Sequence, residues 1–293
     1  MPPRPKVLLF DIGGVCVVSP MSAIAAYERT HSLPTGYINH AISASGPNGA
    51  WARLERGEIA LDASFFAAFE ADLRSETVWK AQWAQHLRRT KSSDSGTQDS
   101  RDRRDLPASQ SAEEALFNAP PVPAIDAEKL YWEMMRVSRA PDPYIYPALR
   151  RLRAHADETN DFIVAACSNT SIFPADHPFS DPDTAEGKFN RELKANFEVF
   201  VSSAHVGMRK PGRDIYEYTI RELDALARRK WGDGCGGVRA GDVVFLDDIG
   251  SNLKAARECG MRTIKVVMGR TQDAAAQLEE ITGLDLRDSK ARL

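Results

Sequence analysis

Five short apolar runs, most of them β-branched, recur along the 293-residue chain, most of them with helix-length segments between. They are KVLLF ending at Phe10, FIVAAC ending at Cys167, FEVFVSS ending at Ser203, VVFL ending at Leu246 and TIKVV ending at Val267. An uninterrupted apolar run of this length suits a strand covered on both faces, whereas a strand wet on one face would alternate. Strands separated by helices pair in parallel, because each crossover must carry the chain back to the end where the last strand began. The expectation is therefore an α/β chain built on a parallel sheet.

The alternation breaks between the first two runs. From Met21 to about Arg139 the pattern is helical, with AIAAYERTH, DASFFAAFEADL and AEKLYWEMMRV each placing apolar residues at helical spacing. We expect a helical cap over about 21–139 inserted into a core formed by 1–20 and 140–293. Within the cap, RRTKSSDSGTQDSRDRRDLPASQSAEEA has almost no large apolar residue and cannot repay its ordering entropy by burial, which predicts a disordered insert over about 90–116. Two further polar inserts follow the second strand and precede the fourth.

A formal charge of −3 and a pI near 6.1 give no general attraction to polyanions, so nucleic acid and anionic membrane surfaces are not expected partners. No apolar stretch approaches the roughly 20 residues of a spanning helix. The opening MPPRPKVLLFD lacks the apolar core and cleavage site of a secretory leader. Cys16, Cys167, Cys235 and Cys259 show no paired spacing and read as small hydrophobes in a reducing compartment, so a cytoplasmic protein is expected.

The polar residues at the ends of the runs carry the chemistry. Asp11 ends the first strand before Gly13 and Gly14; Ser168 and Asn169 end the second; Lys210 precedes a proline and is expected to open the helix after the third; Asp247 and Asp248 end the fourth. Singly, each is compatible with ordinary turn or cap chemistry. Jointly they belong at the carboxyl ends of parallel strands, where an open sheet forms one crevice. A carboxylate that attacks phosphorus, with a lysine, neutral donors and a divalent cation to absorb charge, requires this set. Mg²⁺ suits it, being a hard ion that takes carboxylate, carbonyl and water oxygens. The histidines show no ligand spacing for zinc.

In order, FDIGGV, CSNTS, RKPGRDIY and FLDDIGSNLKAARECGM resemble the four motifs of the haloacid dehalogenase-like hydrolase superfamily, and within it the subgroup of the N-terminal phosphatase domain of soluble epoxide hydrolases. The resemblance implies a Rossmann-like core with an inserted helical cap over the site. It also implies roles: Asp11 as nucleophile and Mg²⁺ ligand, the Gly13 carbonyl and Asp248 as further ligands, and Asp247 beside them organising water and Lys210. Ser168 and Asn169 would hold phosphoryl oxygens, Lys210 would balance charge, and Asn252 would tie down the fourth loop.

Phosphatases of this superfamily usually read D-x-D, the second Asp serving as general acid and then base; here that place is Gly13. The expected activity is a slow or selective phosphatase acting on a small phosphomonoester or acyl phosphate. The alternatives are a pseudoenzyme that keeps a phosphate-binding crevice for a ligand or partner, and a metal-independent dehalogenase, against which the acid pair weighs. Trp51, Phe65, Phe66 and Phe69 fit a cap core or an apolar substrate wall, and Arg53 and Arg56 fit surface pairs with Glu55 or Glu58 or a second anionic group on the substrate. Sugar, lipid and acyl phosphates all remain open, and no feature sets an oligomeric state.

Overall fold

A computed structural model describes residues 4–94 and 119–286. Its five strands form one parallel sheet in the order β3-β2-β1-β4-β5. They are β1 (Val7–Phe10), β2 (Ile163–Ser168), β3 (Val199–Ser202), β4 (Val243–Asp247) and β5 (Arg262–Lys265). Each falls within or next to one of the five apolar runs.

Alternation of side chains across the sheet gives it two apolar faces. Leu8, Phe10, Val164, Ala166, Val244 and Leu246 point to one side and pack with the helices Ile145–Thr159 and Thr271–Thr282. Val7, Leu9, Ile163, Ala165, Cys167, Val243 and Phe245 point to the other, against Arg213–Trp231 and Gly250–Glu258. The result is a three-layer α/β/α core, the Rossmann-like class expected. All residues of β1, β2 and β4 are buried, but β3 and β5 are only partly so. Those two are the sheet edges, which explains why an expectation of five fully buried strands holds only for the central three.

The chain separates into two compact units. One comprises Met1–Ser22, Ala52–Leu61 and Met134–Leu293 and holds the sheet; the other comprises Ala23–Trp51 and Asp62–Glu133. The segment Ala52–Leu61 thus groups with the sheet, although it lies inside the stretch read as cap. Its anchor is visible at Gly57, where φ is +66° and an added Cβ would stand 2.2 Å from the carbonyl oxygen of Ala204.

In the described residues the second unit is helical. Asp62 caps the helix Ala63–Leu73 by accepting from the N–H groups of Ser64 and Phe65. Phe65, Phe66 and Phe69 are buried in it, with Phe65 stacked on Phe69 at 5.5 Å and edge-on to Tyr131 at 5.6 Å. Trp51 tilts against Phe69 at 5.4 Å. These aromatics build the core of the unit. Helix Glu76–Asp94 runs through the start of the expected disordered insert, so 90–94 are helical. The rest of that insert, 95–116, lies outside the described residues.

Candidate active site

Strand register brings the polar residues together. Phe10 stands level with Ala166 on one neighbour and Leu246 on the other, so Asp11, the end of β2 and Asp247 emerge together at the carboxyl ends of the three central strands. The Asp11 N–H donates to the Leu246 carbonyl at 2.9 Å, continuing the ladder one residue past the strand. Its own carboxylate accepts the Ile12 N–H at 2.7 Å. The thiol of Cys16 donates to the Asp11 carbonyl from behind at 3.2 Å. The acid is thus fixed by backbone on both sides and is only 6% exposed.

The two glycines differ. Gly14 adopts φ +77°, and a Cβ there would lie 2.2 Å from Asp248 Oδ2, so only glycine fits. A Cβ on Gly13 would meet nothing closer than Pro20 Cδ at 3.5 Å, an ordinary contact. Sterically, the place where D-x-D proteins have their second acid would accept a side chain.

Lys210 is the third element of the cluster. It does not open a helix: a single turn Ser203–Val206 follows β3, and the long helix begins at Arg213. Lys210 therefore sits in the intervening loop, with its side chain directed inward. Its Nζ lies 2.9 Å from Asp11 Oδ1 and 2.7 Å from Asp247 Oδ2, and the residue is 1% exposed. Burial opposes its charge, but Asp11 and Asp247 overrule it and hold the ammonium protonated above the ordinary lysine range.

Asp247 is held from several sides. Asn252 Nδ2 reaches its carboxylate at 3.2 and 3.1 Å, and the Ile249 N–H donates to Oδ1 at 2.7 Å. The Asn252 carbonyl in turn accepts from the Tyr216 hydroxyl at 2.9 Å. Asp248 is different: its Oδ1 is buried and has no hydrogen-bond partner. Such an atom is costly unless something charged faces it.

Asp11, Asp247 and Asp248 each offer an oxygen within 4.8 Å of the others. When all three are ionised, three carboxylates stand against the single ammonium of Lys210, an excess of two negative charges. Burial raises Asp11 to about 6, with Lys210 pulling it down and Asp247 pushing it up. Burial, then Asp11 and Asp247, raise Asp248 to about 7. The unpartnered Oδ1 of Asp248 and the charge excess both fit a divalent cation bound through hard oxygen ligands.

Ser168 is buried at the end of β2; its hydroxyl donates to the Asn169 carbonyl at 3.5 Å and lies near enough to the Asp11 carboxylate to favour its charged form slightly. The carboxamide of Asn169 is committed elsewhere. Its Oδ1 accepts the Lys210 N–H at 2.8 Å and its Nδ2 donates to the Lys210 carbonyl at 3.0 Å. Two residues that the sequence did not single out for this cluster adjoin it. Glu55 accepts from Arg209 Nε at 2.7 Å and lies 3.4 Å from Asn169 Nδ2. Arg209 is next to Lys210, but Glu55 is 154 residues away, so no local pattern links them. Arg53 and Arg56 both lie close to Glu58, Arg56 with a direct hydrogen bond.

No family model matches the chain. It is 26% identical over 290 residues to bifunctional epoxide hydrolase 2 of Sus scrofa, covering 98% of this chain and 40% of that protein. It is 25% identical over 285 residues to acyl-CoA dehydrogenase family member 10 of Mus musculus, covering 96% of this chain and 19% of that one. The chain therefore spans well under half the length of either. A HAD-like family hydrolase structure from Porphyromonas gingivalis matches with a TM-score of 0.48 at 15% identity, covering 94% of this chain and 98% of the other. Along nearly its whole length the chain is thus similar in sequence to bifunctional epoxide hydrolase 2, and its parallel α/β core is the one that the resemblance of its four motifs to the haloacid dehalogenase-like hydrolases implies.

Proposed function

We propose that the protein is a Mg²⁺-dependent phosphatase that hydrolyses a small phosphomonoester or acyl phosphate through an aspartyl-phosphate on Asp11. The observation that carries this reading is the charge balance of the cluster, in which three carboxylates face one buried lysine and one carboxylate oxygen has no partner. Asp11, Asp248 and the carbonyl of Gly13 would hold Mg²⁺. Bound there, the ion would neutralise phosphoryl charge as a Lewis acid.

The chain's own groups do the rest. Asp11 is held by the Ile12 N–H and by Lys210 through Oδ1, which leaves Oδ2 as the oxygen for attack on phosphorus. The P–O bond to Asp11 forms as the bond to the leaving oxygen breaks; water then attacks the acyl phosphate and restores the carboxylate. Lys210 offsets charge on the phosphoryl oxygens, and Asp247 and Asn252 fix its position. Ser168 and Asn169 hold phosphoryl oxygens, Ser168 by its hydroxyl and Asn169 by its peptide group, since the Asn169 carboxamide is bound to Lys210.

Gly13 supplies no proton to the leaving group. Loss of a general acid costs about 10²- to 10⁴-fold, chiefly for leaving groups that are poor as anions. Aryl and acyl phosphates are therefore the favoured class over alkyl esters. The test is release of p-nitrophenol from its phosphate ester with and without Mg²⁺, with Asp11→Asn in parallel. Turnover that needs both supports the proposal; Mg²⁺ binding without turnover favours a pseudoenzyme that keeps the crevice for recognition.

A further inference from the structure

Lys210 has to present Nζ to two carboxylates from a loop rather than from a helix, so something outside its own element must hold its backbone. Asn169 does so directly, engaging both the N–H and the carbonyl of Lys210 with one carboxamide. A carboxamide that engages the N–H and the carbonyl of one residue, and so the two peptide groups on either side of its Cα, fixes the height of that residue over the sheet.

Glu55 stands behind this clamp. It is 9% exposed, unusual for a glutamate without a specific partner. One of its oxygens, Oε2, receives Arg209 Nε at 2.7 Å and Nη2 at 2.6 Å, and lies 3.4 Å from the amide of Asn169. It thus touches the residue before Lys210 and the residue that clamps Lys210. The turn that follows Glu55 is itself pinned, because Gly57 lies against the Ala204 backbone so closely that a Cβ would sit 2.2 Å from the carbonyl oxygen. Glu55 is consequently carried on a segment anchored to the β3 side of the sheet-bearing unit.

We infer that Glu55 is a positioning residue for the reaction, which acts through Asn169 and Arg209 to hold Lys210 at Asp11. The inference builds on the phosphatase reading for its kinetic consequence, but the placement of Lys210 has a readout that needs no turnover.

The test compares the full chain with Glu55→Gln, Asn169→Ala and the double variant. Two measurements are made on each: kcat and KM for p-nitrophenyl phosphate with Mg²⁺, and acylation of Lys210 by an amine-reactive ester followed by peptide mapping. Glu55→Gln is nearly isosteric and is expected to lower kcat by about tenfold with KM changed less than about twofold, since small displacements of a reacting constellation are costly in rate. The double variant is expected to be no slower than Asn169→Ala alone, because residues acting in series do not add. Lys210, protected in the parent, is expected to acylate severalfold faster in Glu55→Gln. Arg209→Gln gives the same readouts if Glu55→Gln does not fold.

Unchanged acylation of Lys210 in Glu55→Gln and Arg209→Gln would overturn the inference whether or not the parent turns over substrate. Strictly additive losses of kcat would also overturn it, by making Glu55 independent of Asn169. A parent with no turnover but with faster acylation in Glu55→Gln would sink the phosphatase reading and leave the positioning role standing.

Discussion

Gly13→Asp tests why this crevice should favour good leaving groups. The substitution is feasible because a Cβ at Gly13 meets only Pro20, at 3.5 Å to Cδ and 4.0 Å to Cγ, and because Gly13 is absent from the residues with positive φ. Replacing glycine where the backbone is compatible stabilises by about 0.4 to 1 kcal/mol through the unfolded chain. Against that, the new carboxylate joins a cluster already carrying three acids and one lysine, so the variant should gain stability only when Mg²⁺ is present. Restoring a general acid is worth about 10²- to 10⁴-fold, or roughly 3 to 5 kcal/mol of barrier. That gain should fall on an alkyl phosphate such as a sugar phosphate, where the leaving alkoxide needs a proton, and should nearly vanish on p-nitrophenyl phosphate. The assay is kcat/KM for both esters in parent and variant. Equal acceleration of the two, or none for the alkyl ester in a folded, Mg²⁺-binding variant, would refute the reasoning.

Gly14→Ala should behave in the opposite way. A left-handed residue costs an alanine about 1 to 2 kcal/mol, and the 2.2 Å approach to Asp248 Oδ2 adds to it, so the melting temperature and the Mg²⁺-induced stabilisation should both fall. Raised acids give a definite pH dependence to the metal-free protein. Asp11 and Asp248, at about 6 and about 7 against an ordinary 3.8, bind more protons folded than unfolded, so stability should fall as pH rises from about 4 through 7. Mg²⁺ should therefore raise the melting temperature more at pH 8 than at pH 5; equal shifts at both would contradict the assignment. Lys210→Met leaves Asp11 and Asp247 without their cation and should cost about 3 kcal/mol at pH 8 in denaturant melts, shrinking at pH 5.

The sheet was legible because its strands are uninterrupted apolar runs, a pattern that depends on a few adjacent residues. The residues that follow those runs were legible as one cluster for the same reason, since parallel topology alone gathers the carboxyl ends of the strands on one side. Burial of β3 and β5 was overestimated because edge position depends on strand order, which no single run encodes. Lys210 was placed one element too late because RKPGRDIY reads as a helix start, while the loop before Arg213 is held by Asn169 from another strand. Glu55 was read as a surface acid in WARLERGE, since its partners Arg209 and Asn169 are distant in sequence. The polar stretch from about 90 also misled at its start, where helix Glu76–Asp94 continues through 90–94, which hold no apolar residue.

The claim that Asp11 is the nucleophile is tested most directly by acid-quenching the protein during turnover of p-nitrophenyl phosphate with Mg²⁺ and mapping the peptides by mass. The account expects one phosphoryl group on the peptide that carries Asp11, lost in alkali and missing from Asp11→Asn. Turnover that persists in Asp11→Asn, or a phosphoryl group found on another residue, would contradict it.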